Sequence, residues 1–280
     1  MSLKFRSAAV FIIFLMLPGF GSIERLFAPS SDLWPYWEAH NPDDHRTIDH
    51  VAWDRLLAKY LIVNDTGANK FRYADVTADD RAMLQEYLSF LQALEISRYN
   101  RAVQFAYWVN LYNALTIDVV LLHYPTESIR DIDTSPGFLA DGPWGEKPVV
   151  VEGHALSLND IEHRILRPIW RDPRIHYVVN CASIGCPDLQ PKAFRAATLE
   201  ADMDFAARSY VNDPRGVTVE YEWISISKIY DWFVEDFGGT EESVRDHLIY
   251  YAKPALADAL RRHPRLDDQH YDWSLNEPQR

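Results

Sequence analysis

Cysteine is almost absent from this chain, with two among 280 residues. So few exclude a disulfide-built scaffold and leave either one bridge or two thiols. Neither stands near the first thirty residues, so a lipid anchor on an N-terminal cysteine has nothing to attach to. Basic residues are also in deficit: 28 Lys and Arg face 41 Asp and Glu, for a net charge of −13. An acidic protein of this kind is not expected to bind nucleic acid or an anionic membrane surface. Internal repeats and low-complexity tracts are missing, and beyond the first residues no stretch is expected to cross a bilayer, which takes about 20 apolar residues.

What is present begins with a leader pattern. Lys4 and Arg6 precede an apolar run over residues 8–17, and Pro18, Gly19, Gly21 and Ser22 follow it. A basic start, a short apolar middle and small residues near a cut describe a secretory signal, so residues 1–22 are expected to be removed and the protein to be periplasmic or secreted. An uncleaved signal segment is the one route to a membrane. Loss of Lys4 and Arg6 would take the net charge from −13 to −15. Residues 23–48, rich in Pro, Ser and aromatics, read as an irregular arm, 49–265 as one globular domain and 266–280 as a polar tail. With 48% hydrophobic and 13% aromatic residues the chain can fill a core of that size.

Periodicity supplies the coarse elements. Trp53, Leu56, Leu57 and Tyr60 fall at helical spacing. Thr77 with Asp80 opens a second helix in the manner of a capping box. Residues 102–123 are apolar on every side, which makes this helix the buried hub. Asn110 and Asn113 share one face of it, and buried amides need partners, because an unpaired one costs about 1–3 kcal/mol. They either hold a neighbouring loop by its backbone, or one of them orients a catalytic histidine or an oxyanion. A glycine- and proline-rich loop over 131–148, carrying Phe138 and Trp144, reads as a rim or lid. Ser157 with Asp160 caps a helix over 158–170, on which Glu162 projects into the apolar inner face and His163 lies toward the edge. A carboxylate there is either an ion-pair partner or a site residue with a raised pKa.

Both cysteines lie in one sixteen-residue stretch, 174–189. Residues 175–181 read as a buried strand, and Ser183-Ile-Gly-Cys-Pro187 as the turn that ends it. On a strand His176 and Asn180 face one way and Cys181 the other, which argues against a pairing of His176 with Cys181. Cys181 is then expected in the core and Cys186, in the turn, as the nucleophile. His176, His163 and His154 are the candidate bases, and Glu162, Asp160, Asn110 and Asn113 the orienting groups.

Three motifs in order, Gln104-Phe-Ala-Tyr-Trp-Val-Asn-Leu-Tyr-Asn-Ala-Leu-Thr116, Ser157-Leu-Asn-Asp-Ile-Glu-His163 and Asn180-Cys-Ala-Ser-Ile-Gly-Cys-Pro187, resemble the signatures of the family called domain of unknown function 547. The resemblance runs over about residues 51–239. It implies one domain in an exported bacterial protein and carries no reaction with it.

The resulting expectation is an α+β fold, a mostly helical single domain. A small antiparallel sheet, from strands near Val149, His176 and Val217, packs on the buried central helix. Two functions stay open. One is a thiol-dependent acyl-transferring or amide-hydrolysing enzyme with Cys186, His176, Glu162, Asn110 and Asn113 in its site. The other is an envelope module that binds a small molecule, peptide or other ligand without chemistry and is braced by a Cys181–Cys186 disulfide. No cofactor motif is read, and the spacing of His176, Cys181 and Cys186 is unlike that of the usual zinc pairs.

Overall fold

A computed structural model describes residues 24–25, 28–136, 142–220, 223–263 and 265–279. The expected leader and Gly137 and Phe138 of the 131–148 loop lie outside the described residues.

The hub is helix α3, Arg101–His123. Asn100 caps it by accepting the Val103 N–H, and Tyr124-Pro125 ends it, since proline cannot continue the ladder. By length and composition this helix would pass for a bilayer span, contrary to the sequence expectation that none follows the leader. Yet 89% of its most apolar window is buried in the body, which marks a core helix. Phe105, Tyr107, Trp108, Val109 and Leu111 are each at most 1% exposed. A side chain so buried contributes about 1.5–3 kcal/mol relative to exposure. Against α3 pack α2 (Ala78–Gln92), capped by Thr77 as expected, and beyond it α1 (Val51–Tyr60).

The fold is α+β and largely helical, but among the described residues the single sheet of the sequence reading is three separate ones. Strands β1 (Leu61–Ile62) and β2 (Lys70–Phe71) form a short antiparallel pair. Strands β3 (Val149–Val151) and β4 (His154–Leu156) form a hairpin. In the third sheet β5 (Val217–Val219) pairs antiparallel with β6 (Ile224–Ser227), and β6 pairs parallel with β7 (Asp268–His270). The expected strand around His176 does not exist. Pro173 at the first helical position and the Asp172 side chain, which accepts the Arg174 N–H, instead start a 3-10 turn over Pro173–Tyr177. Helices α5 (Leu199–Val211), α6 (Glu241–Tyr251) and α7 (Pro254–Arg262) close the far side.

Two further differences position the site. The helix expected over 158–170 starts with Leu158 and Asn159 in α geometry, widens into a π-helix, Asp160–Leu166, and then tightens into α4, Arg167–Trp170. Ser157 and Asp160 cap it reciprocally, as expected. The arm runs alongside: the N–H groups of Asp32 and Trp34 donate to the carbonyls of His163 and Arg164, and Trp37 is buried edge-on against Trp108. The tail expected over 266–280 is not a tail at all. It supplies β7, buries Leu275 and Asn276, and continues as a strap bonded to the cysteine loop. Ile184 N–H donates to Ser274 at 2.8 Å, Gly185 N–H to Asp272 at 2.7 Å, and Asn276 N–H to Ala182 at 3.0 Å. The strap crosses Gly185 so closely that a Cβ there would meet the Asp272 nitrogen at 2.7 Å, so only glycine fits.

Candidate functional site

The burial of the two cysteines is the reverse of that expected from the sequence. Cys186 is buried, 4% exposed, whereas Cys181 is only partly buried. The reason is the missing strand: the chain leaves the Pro173–Tyr177 turn without a pleat, so alternation says nothing about which cysteine faces outward. Ala182, at φ 59°, then turns the backbone sharply behind Cys181. A non-glycine residue in that region is uncommon, and such strain often accompanies a functional side chain. The Asn180 side chain secures the turn, accepting the Ala182 N–H at 2.9 Å and donating to the Pro187 carbonyl at 2.7 Å.

Around the Cys181 sulfur stand three hydrogen-bonding groups. Cys186 Sγ lies at 3.0 Å, the Tyr271 hydroxyl at 3.0 Å and the Ser183 hydroxyl at 3.3 Å. Tyr271 and Ser183 also bond to each other at 3.0 Å. Burial pushes the Cys181 thiol up, but the bonds from Cys186, Ser183 and Tyr271 outweigh it and hold the thiol below its usual range. Cys186 goes the other way. Burial first, and then the bond and charge of Cys181, drive its thiol well above the usual range. Its sulfur accepts the Cys181 N–H at 3.0 Å. The two are free thiols.

Asn113 holds the approach to this pair. Its amide donates to the Val178 carbonyl at 2.8 Å and accepts the Asn180 N–H at 2.8 Å. Asn110 does the same one turn away, gripping both backbone groups of Phe194 at 2.8 and 2.9 Å. Both amides clamp backbone, the loop role expected for them, and Asn110 Nδ2 also lies 3.3 Å from His50 Nε2.

His176 does not meet a cysteine. Its Nε2 bonds to Asp236 at 2.7 Å, its ring stacks on Phe233 at 4.3 Å, and Glu162 approaches Nδ1 at 3.7 Å. Arg167 Nε shares the same Asp236 oxygen at 2.6 Å, and its Nη1 lies 3.0 Å from His163 Nδ1. His163, expected at the helix edge, is 6% exposed, because the wider π turn brings it, Glu162 and Arg167 onto one inner face. Arg167 and the salt bridge from Arg174 to Asp172 border two clefts. The first, of about 380 Å³, is lined by Arg167, Arg171, Glu235 and Asp236, and the second, of about 590 Å³, by Trp170, Arg174, His247 and Tyr250. Neither cleft includes a cysteine.

Tyr112 of α3 links the two groups. Burial raises its phenol well above the ordinary value, and the charges of Glu162, Cys181 and Cys186 add to that rise. Glu162 also bears on Cys181. Glu162, Tyr112 and the thiols therefore share one electrostatic neighbourhood, with His176 and Asp236 behind Glu162. Among the described residues no group of three or more His, Cys, Asp or Glu side chains is placed to hold a metal ion. Asp160 bonds Arg164 and Lys147, and His154 packs among Trp34, Tyr36 and Trp37, so both belong to the arm contact and not to this neighbourhood.

Tyr271, Ser183 and Tyr112 escaped the sequence reading. Tyr271 sat in the presumed tail, where the alternation of Tyr271, Trp273 and Leu275 was the available sign of a strand packed on one face.

Fold and site together define an α+β protein with a paired-thiol loop clamped to a buried helix beside a histidine–carboxylate cluster. The chain resembles the family described as "Protein of unknown function, DUF547", whose model matches residues 96–211. That span is narrower than the 51–239 expected, and it contains α3, the π-helix, both cysteines and α5. No curated protein and no solved structure matches the chain.

Three histidines give the fold a defined acid sensitivity. His50, bonded to the Tyr87 hydroxyl, His163 and His247 are each lowered from 6.5 to about 4, chiefly by burial. Between those values the unfolded chain binds more protons than the folded one, so the stability these groups contribute is complete above pH 6.5 and is lost as pH falls toward 4. The urea midpoint is expected to drop steadily through that window, and His163→Gln to flatten the slope. A midpoint unchanged between pH 6.5 and 4.5 would refute it.

Proposed function

We propose that the protein is a thiol-dependent enzyme of acyl transfer or amide hydrolysis, with Cys181 and not Cys186 as its nucleophile. The observation that carries this reading is the part-exposed Cys181 sulfur with three hydrogen-bonding groups within 3.3 Å. A thiolate so held needs no base in contact, which suits a site where His176 is occupied by Asp236. In the reaction the sulfur adds to a carbonyl carbon and the carbonyl electron pair moves to oxygen. Collapse expels an amine or alkoxide that takes a proton from Tyr271 or Cys186, leaving a thioester. Water or an acceptor amine then attacks the thioester and regenerates the thiol. Asn113 is a positioning residue in this scheme, and Glu162 with His176 and Asp236 sets the charge behind Tyr112. The exported setting expected from residues 1–22 belongs to the same proposal.

Alkylation tests it. Iodoacetamide applied to the reduced native protein is expected to modify Cys181 alone, with a rate half-maximal below the ordinary thiol pKa of about 8.5. Peptide mapping that finds Cys181 unmodified, or Cys186 modified first, would overturn the assignment. The cleft of about 590 Å³ walled by Trp170, Tyr250 and Tyr251 favours the second reading, a module that binds a peptide or small ligand. An inert Cys181 in a folded protein would leave that reading standing.

A further inference from the structure

We infer that Cys181 and Cys186 form a redox-active dithiol that exchanges with the disulfides of small thiols or peptides, Cys181 attacking and Cys186 resolving. The inference rests on Cys181 being the thiolate, as in the reading above, and adds a second substrate class to the same sulfur. Four geometric facts carry it. The sulfurs stand 3.0 Å apart, with no side chain between them. One is part-exposed and the other buried. Tyr271 and Ser183 stand 3.0 and 3.3 Å from the outer sulfur, so the pair is chemically unequal. Cys186 is held in line by the Cys181 N–H at 3.0 Å and the Val179 carbonyl at 3.8 Å.

This asymmetry suits exchange better than it suits a static bridge. A disulfide that serves only as a brace gains nothing from donors aimed at one of its sulfurs. An attacking thiolate gains stability from them, and a buried partner is kept from reacting first. Closing the bridge asks the sulfurs to approach by about 1 Å, to a bond of about 2.05 Å.

The steps balance. The Cys181 thiolate attacks one sulfur of an external disulfide R–S–S–R, forming the mixed disulfide Cys181–S–S–R and releasing RS⁻. With the negative charge on Cys181 gone, its repulsion no longer adds to burial in keeping Cys186 protonated. Cys186 loses its proton, to the departing thiolate or to solvent, and attacks the Cys181 sulfur. The second R group leaves as a thiol. The protein is oxidised by two electrons to the Cys181–Cys186 disulfide, and one disulfide is reduced to two thiols. In that state Cys181 is unavailable to a carbonyl, so the redox poise of the surroundings sets the fraction of protein able to transfer acyl groups.

The test uses the full chain, fully reduced, with oxidised glutathione as the probe and intact mass with peptide mapping as the readout. The expected result is a wild-type product lighter by two hydrogens, with no retained glutathione and about two thiols released per protein. Cys186→Ser is expected to stop at one glutathione on Cys181, and Cys181→Ser to take up none. Should Cys186→Ser not fold, the thiol count on the wild type decides alone. Retention of a glutathione by the wild type, with one thiol released, overturns the inference and leaves the thiolate assignment intact. So does indifference to oxidised glutathione in a protein whose Cys181 reacts with iodoacetamide. Indifference to both reagents overturns the two readings together.

Discussion

Asp236→Ala is expected to destabilise the protein by about 3–5 kcal/mol, the range for stripping one partner from a buried ion pair. A single Asp236 oxygen accepts from His176 Nε2 at 2.7 Å and from Arg167 Nε at 2.6 Å. The side chains it serves are 2% and 4% exposed, so neither can turn to water when the carboxylate is removed. Burial acts to raise its carboxyl pKa, but the bonds from His176 and Arg167 prevail and lower it to about 2. A group whose pKa is lower in the folded state stabilises above its unfolded value of 3.8, and that contribution is lost as pH falls toward 2. The variant should therefore lose stability at neutral pH and lose less on acidification over that span. Urea unfolding measures both. Asp236→Asn, which keeps one acceptor, is expected to fall between the variant and wild type. Arg167→Met in the Asp236→Ala background should recover part of the loss by removing the stranded charge. The neighbouring Glu235, 77% exposed in its pair with Arg25, gives a control: its alanine variant should stay within about 0.5 kcal/mol of wild type. A loss below about 1 kcal/mol for Asp236→Ala would show that Arg167 finds another partner.

What could be read in advance divides along a physical line. Local rules that depend on a few neighbouring residues held: the all-round apolar character of α3, the Thr77 and Ser157 caps, and the need of Asn110 and Asn113 for partners. Features decided by distant chain did not show. Residues 175–181 have strand composition, but Asp172 and Pro173 favour a helical start and no neighbouring strand is present to pair with them. The π-helix hides because a period of 3.6 is assumed when a face is drawn; a wider turn moved His163 from edge to interior and made room for Arg167. Tyr271 belongs to the site only because β7 joins β6 in parallel, a pairing between segments some forty residues apart. The burial of Cys181 and Cys186 came out reversed for the same reason, since exposure in a loop is fixed by what lies across it. Here that is the strap, with Gly185 under Asp272 and Tyr271 over Cys181.

Asn113→Leu separates the clamp from the core. Leucine nearly matches asparagine in volume, so the cavity contribution is small and the effect isolates the hydrogen bonds. Losing the amide strands the Val178 carbonyl and the Asn180 N–H, both buried, at about 1–3 kcal/mol each, or about 2–6 kcal/mol together. Asn110→Leu strands the two backbone groups of Phe194, loses the longer contact to His50 Nε2 and should cost at least as much. The variants are expected to part company at the thiols. Val178 and Asn180 lead directly into Cys181, and Asn180 also anchors Ala182 and Pro187, so freeing them lets the Cys181 sulfur drift from Tyr271 and Ser183. Without those donors burial dominates, the thiol pKa rises, and alkylation of Cys181 near neutral pH should slow by about tenfold for each unit of that rise. Phe194 leads into α5 and touches neither sulfur, so Asn110→Leu should keep the wild-type pH profile of alkylation despite a similar loss of stability. Equal stability loss with unequal thiol reactivity would identify Asn113 as the residue that positions the nucleophile. If both variants left the alkylation profile unchanged, the hydrogen bonds at the sulfur, and not the clamp beneath it, would be holding Cys181 in place.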